Sequence, residues 1–304
     1  MPSEDLLAAP AIELARLIRE GVASSAEVVG THFDRIAEVN PVLNAVVQFA
    51  PDALRRAAAA DEAVARGDAV GPLHGVPFTV KNWIEVEGLV CAAGFEERVD
   101  FVPRRDAAVV ARMRDAGAIL LGKTNVTHGE PVYTRPNNPH ELDRVPGSSS
   151  SGEAAIIAAG GSPFGLASDS GGSIRWPAHC TGVVGLKPST GLVPNTGHFP
   201  RIGHLADPRT AIEPIARSAR DLEATGGDEG GVLRWELASE GDGCVLTFTH
   251  TLMPDRRPQN SVLAGWHFLH DQLPEALAGR PTDWHALEDT RTEHSHIARI
   301  EEIY

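Results

Sequence analysis

The residues best suited to chemistry lie between Pro146 and Gly191, in PGSSSSGEAAIIAAGGSPFGLASDSGGSIRWPAHCTGVVGLKPSTG. A serine run, Ser148 to Ser151, opens a small-residue helix over Gly152 to Gly160, and a short apolar strand then leads to Asp169-Ser170-Gly171-Gly172-Ser173. Glycine pairs beside a serine let the backbone bend so tightly that successive N–H groups converge, which is the geometry an oxyanion needs. Ser173 ends such a turn. A lysine, Lys81, follows an apolar strand upstream. With Lys81 beside the serine run, the set would be a serine nucleophile, a bridging serine and a lysine base, which needs no histidine. Spacing alone does not decide this, because a serine run before a helix is by default an N-cap and a lysine at a strand end by default faces solvent.

The same residues resemble the signature of the amidase signature family of serine amidohydrolases. The resemblance rests on Gly147, Ser149, Ser150, Gly152, Glu153 and Ala154, then Asp169, Gly171, Gly172, Ser173, Ile174, Arg175, Pro177, Ala178 and Cys180, then Gly185-Leu186-Lys187-Pro188. Secondary anchors are GPLHGVPFTVKNWIEVEG (71–88) and GAILLGKTN (117–125), and the likeness runs from about Leu6 to about Leu222. It implies that Lys81, Ser149 and Ser173 are catalytic, the two serines standing 24 residues apart as in the family. It further implies a neutral Lys81 in a dry pocket, an oxyanion hole from the N–H groups of Ser170, Gly171, Gly172 and Ser173, and support from Ser150, Asp169 and Arg175. The reaction implied is acyl transfer from a small carboxamide to Ser173 and then to water, with no metal and no cofactor. A glutamine-hydrolysing amidotransferase shares this chemistry, but no residue here points to a tRNA-linked partner. One departure stands inside the signature: Ser148 occupies a position that is usually glycine, before a peptide bond that is usually cis.

The elements that must carry these residues follow from periodicity. Leu6, Leu7, Ile12, Leu14, Leu17 and Ile18 give helical spacing between Glu4 and Glu20, and Ser24-Ser25-Ala26-Glu27 starts a second helix that should run to about Glu38 and break at Asn40-Pro41. LNAVVQFA reads as a strand, Pro51 opens an alanine-rich helix to Arg66, and Val76 to Val80 is a buried strand delivering Lys81. Asp106 to Ala116 reads as a helix and Ala118 to Leu121 as a strand. Gly117 to Thr124 matches the phosphate-loop pattern GxxxxGKT, but its middle is apolar and prolines rather than a long helix follow, so Lys123 is read as an exposed strand end. His128 to Pro146 should be irregular and wall the site. Neither GxSxG nor SxxK occurs around the serines, which excludes the nucleophile-elbow and β-lactamase patterns.

Composition narrows the class. The chain has 304 residues, 42% of them hydrophobic, and a net charge of −14, which suits a globular protein of small substrates and argues against nucleic-acid or anionic-membrane partners. Three widely spaced cysteines form no CxxC pair, and neither a leader nor a long apolar run is evident, so the expected location is cytoplasmic. Oligomeric state is not legible.

From His198 to Arg220 the resemblance continues, with Glu213 in place of a usual glycine, and then it stops. Thr225 to Gly231 reads as a linker. Val232 to Leu237 and Cys244 to His250 form a hairpin about Glu240-Gly241-Asp242-Gly243, and after Pro258 an amphipathic helix carries Val262, Leu263, Trp266, Leu269 and Leu273. This tail resembles the end of START-like domains of the chaperone-ATPase-activator and polyketide-cyclase branch. His250, His267, His270, His285, His294 and His296 show no zinc spacing and read as surface residues. The sequence therefore predicts an α/β amidase-signature domain over 1–225, a mixed sheet flanked by helices and incomplete at its C-terminal side, and a partial START-like segment over 226–304. The alternative to an active amidohydrolase is an impaired fusion product whose tail binds a hydrophobic ligand or a partner.

Overall fold

A computed structural model describes residues 2–126, 132–189, 192–200, 210–226, 232–240 and 243–251. The chain divides into two units, Met1–Gly227 and Asp228–Tyr304. In the first, helices α1 (Ser3–Ala8), α2 (Ala11–Arg19) and α3 (Ser25–Leu43) precede the short strand β1 (Val46–Phe49), and α4 (Ala53–Arg66) follows it. The remaining elements are β2 (Pro77–Lys81), α5 (Ala108–Asp115), β3 (Ile119–Thr124), α6 (Ser151–Ala158), β4 (Phe164–Asp169), α7 (Arg175–Thr181), β5 (Val184–Gly185), β6 (Ala211–Ala216) and α8 (Ala219–Gly226).

Two helical boundaries differ from the sequence reading. The N-terminal segment is two helices because Pro10, which lacks an N–H, stands at the N-cap of α2. Asn40-Pro41 does not end α3. Pro41 lies in its last turn, and the helix stops at Asn44, whose φ of 50° is left-handed. Asn40 instead secures the exit, its Oδ1 accepting from the N–H groups of Ala45 and Val46 at 2.8 Å each.

The strands form one six-stranded mixed sheet in the order β1-β3-β2-β4-β6-β5. β2 runs parallel to both β3 and β4, while β1, β6 and β5 pair antiparallel. Every residue of β2, β3, β4 and β6 is buried, which is why these strands read as apolar runs rather than alternating ones. Stacked Phe78 and Phe164, 5.7 Å between ring centres, pack β2 against β4. Lys123 is not an exposed strand end: β3 continues through Gly122-Lys123-Thr124 because it is paired on both sides, and Lys123 is fully buried with Nζ donating to the Ile84 carbonyl. Residues 128–131 of the segment expected to wall the site lie outside the described residues, and 132–146 contains no helix or strand.

The second unit contains an antiparallel pair, β7 (Val232–Glu240) and β8 (Gly243–Thr251), with Val232 opposite Thr251 and Glu240 opposite Gly243. The hairpin foreseen there is present. The helix expected after Pro258 and the histidines beyond it lie outside the described residues.

Glu213 lies in β6 opposite Ala167, 4% exposed, and burial pushes its carboxyl up to about 8. An unfolded chain would ionise it near the ordinary carboxylate value of about 4.3. The folded state therefore holds the extra proton, and stability should fall as pH rises from about 4.5 to about 8 and then level off. Glu213→Gln should leave the melting temperature unchanged at pH 4.5 and raise it by a few degrees at pH 8, as thermal unfolding at the two pH values would show.

Candidate active site

Because β2 and β4 are parallel neighbours, their C-terminal ends open on the same edge of the sheet, bringing Lys81 beside Ser168 and Asp169. The loop before α6 crosses that edge. It is drawn close by Gly147, where a Cβ would come within 2.5 Å of the Pro177 backbone. Lys81 is fully buried; its Nζ lies 2.6 Å from Ser149 Oγ, 3.0 Å from Ser168 Oγ, 3.3 Å from the Ser168 carbonyl oxygen and 4.3 Å from the Trp83 ring centre. Loss of solvent pushes the amine down to about 7, against the pull of the Asp169 and Glu153 charges. In its neutral form the nitrogen has a lone pair that can take the Ser149 proton.

Ser150, read as a supporting residue, donates to the Ser168 carbonyl at 3.1 Å. Glu153, in the first turn of α6, receives hydrogen bonds from Thr79 of β2 and, at 2.7 Å, from Thr124 of β3. Burial raises its carboxyl to about 7 despite both hydroxyls. This inter-element tie passes over Gly165, where a Cβ would sit 1.8 Å from Glu153 Oε1. Only glycine leaves room for it.

The turn after β4 is organised by one carboxylate. The fully buried Asp169 side chain accepts from the backbone N–H groups of Gly172 at 2.7 Å, Ile174 at 3.1 Å and Arg175 at 3.3 Å, and from Arg175 Nε and Nη2 at 3.0 Å each. Burial alone would raise its pKa, but the Arg175 hydrogen bonds and charge and the backbone donors outweigh it and leave the group below its ordinary value. Gly172, read from the sequence as an oxyanion donor, is thus engaged by Asp169. The N–H groups of Ser170, Gly171 and Ser173 make no hydrogen bond among the described residues. Ser170 Oγ is 2.5 Å from Thr210 Oγ1, and the Asn195 side chain donates to the Thr210 carbonyl at 2.9 Å.

The amidase family model matches residues 27–225. The chain belongs to the amidase signature family. It is 40% identical over 193 residues to a glutamyl-tRNA(Gln) amidotransferase subunit from Acidothermus cellulolyticus, covering 61% of this chain and 38% of that protein. With indoleacetamide hydrolase of Bradyrhizobium diazoefficiens it shares 40% over 187 residues, covering 59% of this chain and 36% of that one. The solved structure of native peptide amidase from Stenotrophomonas maltophilia superposes with a TM-score of 0.68 at 32% identity, over 74% of this chain and 48% of that chain. This member of the family thus spans about two fifths to one half of the length of these relatives. The family match ends at 225, and the tail that resembles a START-like end lies beyond it.

Two features depart from the pattern that the family resemblance implies. The peptide bond between Ser148 and Ser149 is trans, Phe199–Pro200 being the single cis bond among the described residues. Ser149 and Ser173 share no hydrogen bond; instead Ser148 Oγ donates to Ser173 Oγ at 2.9 Å. The adjacent hydroxyls therefore part, Ser149 to the lysine and Ser148 to Ser173. Sequence reasoning missed Ser168 as a partner of Lys81 and Thr79 and Thr124 as partners of Glu153. No local motif marks them, because each contact joins separate strands.

A buried amine whose pKa falls costs stability while it must be protonated. The unfolded chain holds the Lys81 proton up to about pH 10.4, so this cost is full below about pH 7 and fades as pH climbs to about 10. Lys81→Met should therefore raise the melting temperature by a few degrees at pH 6, with the gain shrinking towards pH 10; thermal unfolding across that range checks it.

Proposed function

We propose that this chain is a serine amidohydrolase acting on a small carboxamide, with Ser173 as nucleophile, Ser149 as bridging hydroxyl and Lys81 as base. The observation that carries the reading is the fully buried Lys81, its amine depressed towards neutrality and 2.6 Å from Ser149 Oγ, at the sheet edge where Ser173 closes a glycine turn. Exposure increases along the set, from Lys81 at 0% through Ser149 at 4% to a half-buried Ser173, so the base is dry while the nucleophile meets substrate.

Neutral Lys81 takes the Ser149 proton as Ser149 takes that of Ser173, and Ser173 Oγ bonds to the amide carbon. The carbonyl oxygen becomes an oxyanion held by the N–H groups of Ser170, Gly171 and Ser173, each such donor being worth about 2.7 to 4 kcal/mol in comparable sites. Collapse breaks the carbon–nitrogen bond, and the proton returns through Ser149 to the leaving amine. Water then attacks the Ser173 ester by the reverse relay and releases the acid. No step calls for a cofactor. Indoleacetamide hydrolase and peptide amidase, by their names, act on amides, which supports the reaction class. For residues 226–304, the reading as the end of a START-like fold draws on the hairpin of β7 and β8.

A fluorophosphonate probe followed by peptide mass analysis tests this. Wild-type protein should be labelled at Ser173, Ser173→Ala should not be labelled, and Lys81→Met should slow labelling by roughly 10²- to 10⁴-fold. The rate should climb through about pH 7 as Lys81 loses its proton. Labelling at another residue, or an unreactive folded wild type, would overturn the assignment.

A further inference from the structure

The hydroxyl pairing at the site is the wrong one for a proton to travel from Ser173 to Lys81. Lys81 Nζ and Ser149 Oγ are joined at 2.6 Å, and Ser148 Oγ and Ser173 Oγ at 2.9 Å, but no hydrogen bond joins Ser149 to Ser173. Ser148 and Ser149 are consecutive and joined by a trans peptide, and their side chains leave the chain in different directions, one to each partner. Ser148 is half-buried, as is Ser173, whereas Ser149 is buried with the lysine.

We infer that Ser148 is a positioning residue that holds the Ser173 hydroxyl apart from Ser149, so that each catalytic cycle begins by exchanging the Ser148 hydrogen bond for one to Ser149. The inference rests on the reading of Ser173 as nucleophile and adds a residue that governs how often the nucleophile is connected to its base. Substrate-free protein resides mostly in the Ser148-bonded arrangement. Accepting from Ser148 leaves Ser173 its own proton and a second lone pair, so the tie acts through position, anchoring Oγ where it makes no hydrogen bond to Ser149. A preference for the Ser148-bonded arrangement equal to the net worth of about one neutral hydrogen bond lowers the connected population, and with it the observed rate, by roughly 3- to 10-fold.

A pre-equilibrium of this kind multiplies the rate by a constant fraction and leaves the titration of the base alone. A change that merely loosened the packing around Lys81 would move that titration. The experiment is the rate of fluorophosphonate labelling at Ser173 as a function of pH for wild type, Ser148→Ala, Ser148→Gly and Ser148→Thr, with thermal melting of each. Ser148→Ala and Ser148→Gly should raise the high-pH plateau roughly 3- to 10-fold with the pH midpoint unchanged, while Ser148→Thr, which keeps the hydroxyl, should label at the wild-type rate. Should Ser148→Gly fail to fold, Ser148→Ala carries the test.

An unchanged or lowered plateau in Ser148→Ala would overturn the inference while wild-type labelling at Ser173 preserved the functional assignment. A displaced midpoint would overturn it too, because the effect would then run through Lys81. An inert wild type would overturn the assignment itself and the role of Ser148 with it.

Discussion

The site depends on taking one amine out of water. An ammonium group moved into a protein interior loses solvation worth several kcal/mol even after relaxation, so the fold must either neutralise Lys81 or surround it with partners. It does both in part. Two serine hydroxyls and a carbonyl contact Nζ, the Trp83 ring lies against it, and the nearby Asp169 and Glu153 charges offset some of the desolvation. The result is an amine that titrates near neutrality. The central strands β2 and β4, covered so that every residue in them is buried, keep that environment dry.

Lys123 shows that burial alone does not decide what a lysine meets. It stands opposite Val80 in the β2–β3 register, next to the pair of Lys81 with Thr124, and is as fully buried as Lys81. Side chains of successive positions leave a strand on opposite faces, so the two lysines serve different sides of the sheet. Lys123 ends on the Ile84 carbonyl, whereas Lys81 ends among hydroxyls at the sheet edge. Chemistry follows from the partners.

Asp169 exercises a comparable selection on the turn that holds Ser173. By accepting from Gly172, Ile174 and Arg175 it fixes the backbone path, and by doing so it leaves Ser170, Gly171 and Ser173 with donors to offer. Arg175 is half exposed, yet its link to Asp169 is more than a surface pair, because the carboxylate it neutralises is wholly buried. Glu153 makes the corresponding tie below, joining α6 to two strands through a gap that only Gly165 can leave.

Much of this was legible in the residue order. Small residues and paired glycines dictate tight turns, long apolar runs dictate fully buried strands, and the order of Lys81, the serine run and the Asp169 turn is a linear property, so family, the strands β1 to β4 and candidate residues could be read before any fold, whereas β5 and β6 were not. Helix limits were less legible: local chemistry placed a break at Asn40-Pro41, while tertiary contacts carried α3 on to Leu43. What tertiary structure alone decided is which hydroxyl meets which partner. Ser148, Ser149 and Ser150 are identical in type and adjacent in sequence, yet they face Ser173, Lys81 and the Ser168 carbonyl respectively. That division is set by the backbone path between α6 and the sheet edge, a property of contacts distant in sequence, and no pattern of neighbouring letters encodes it.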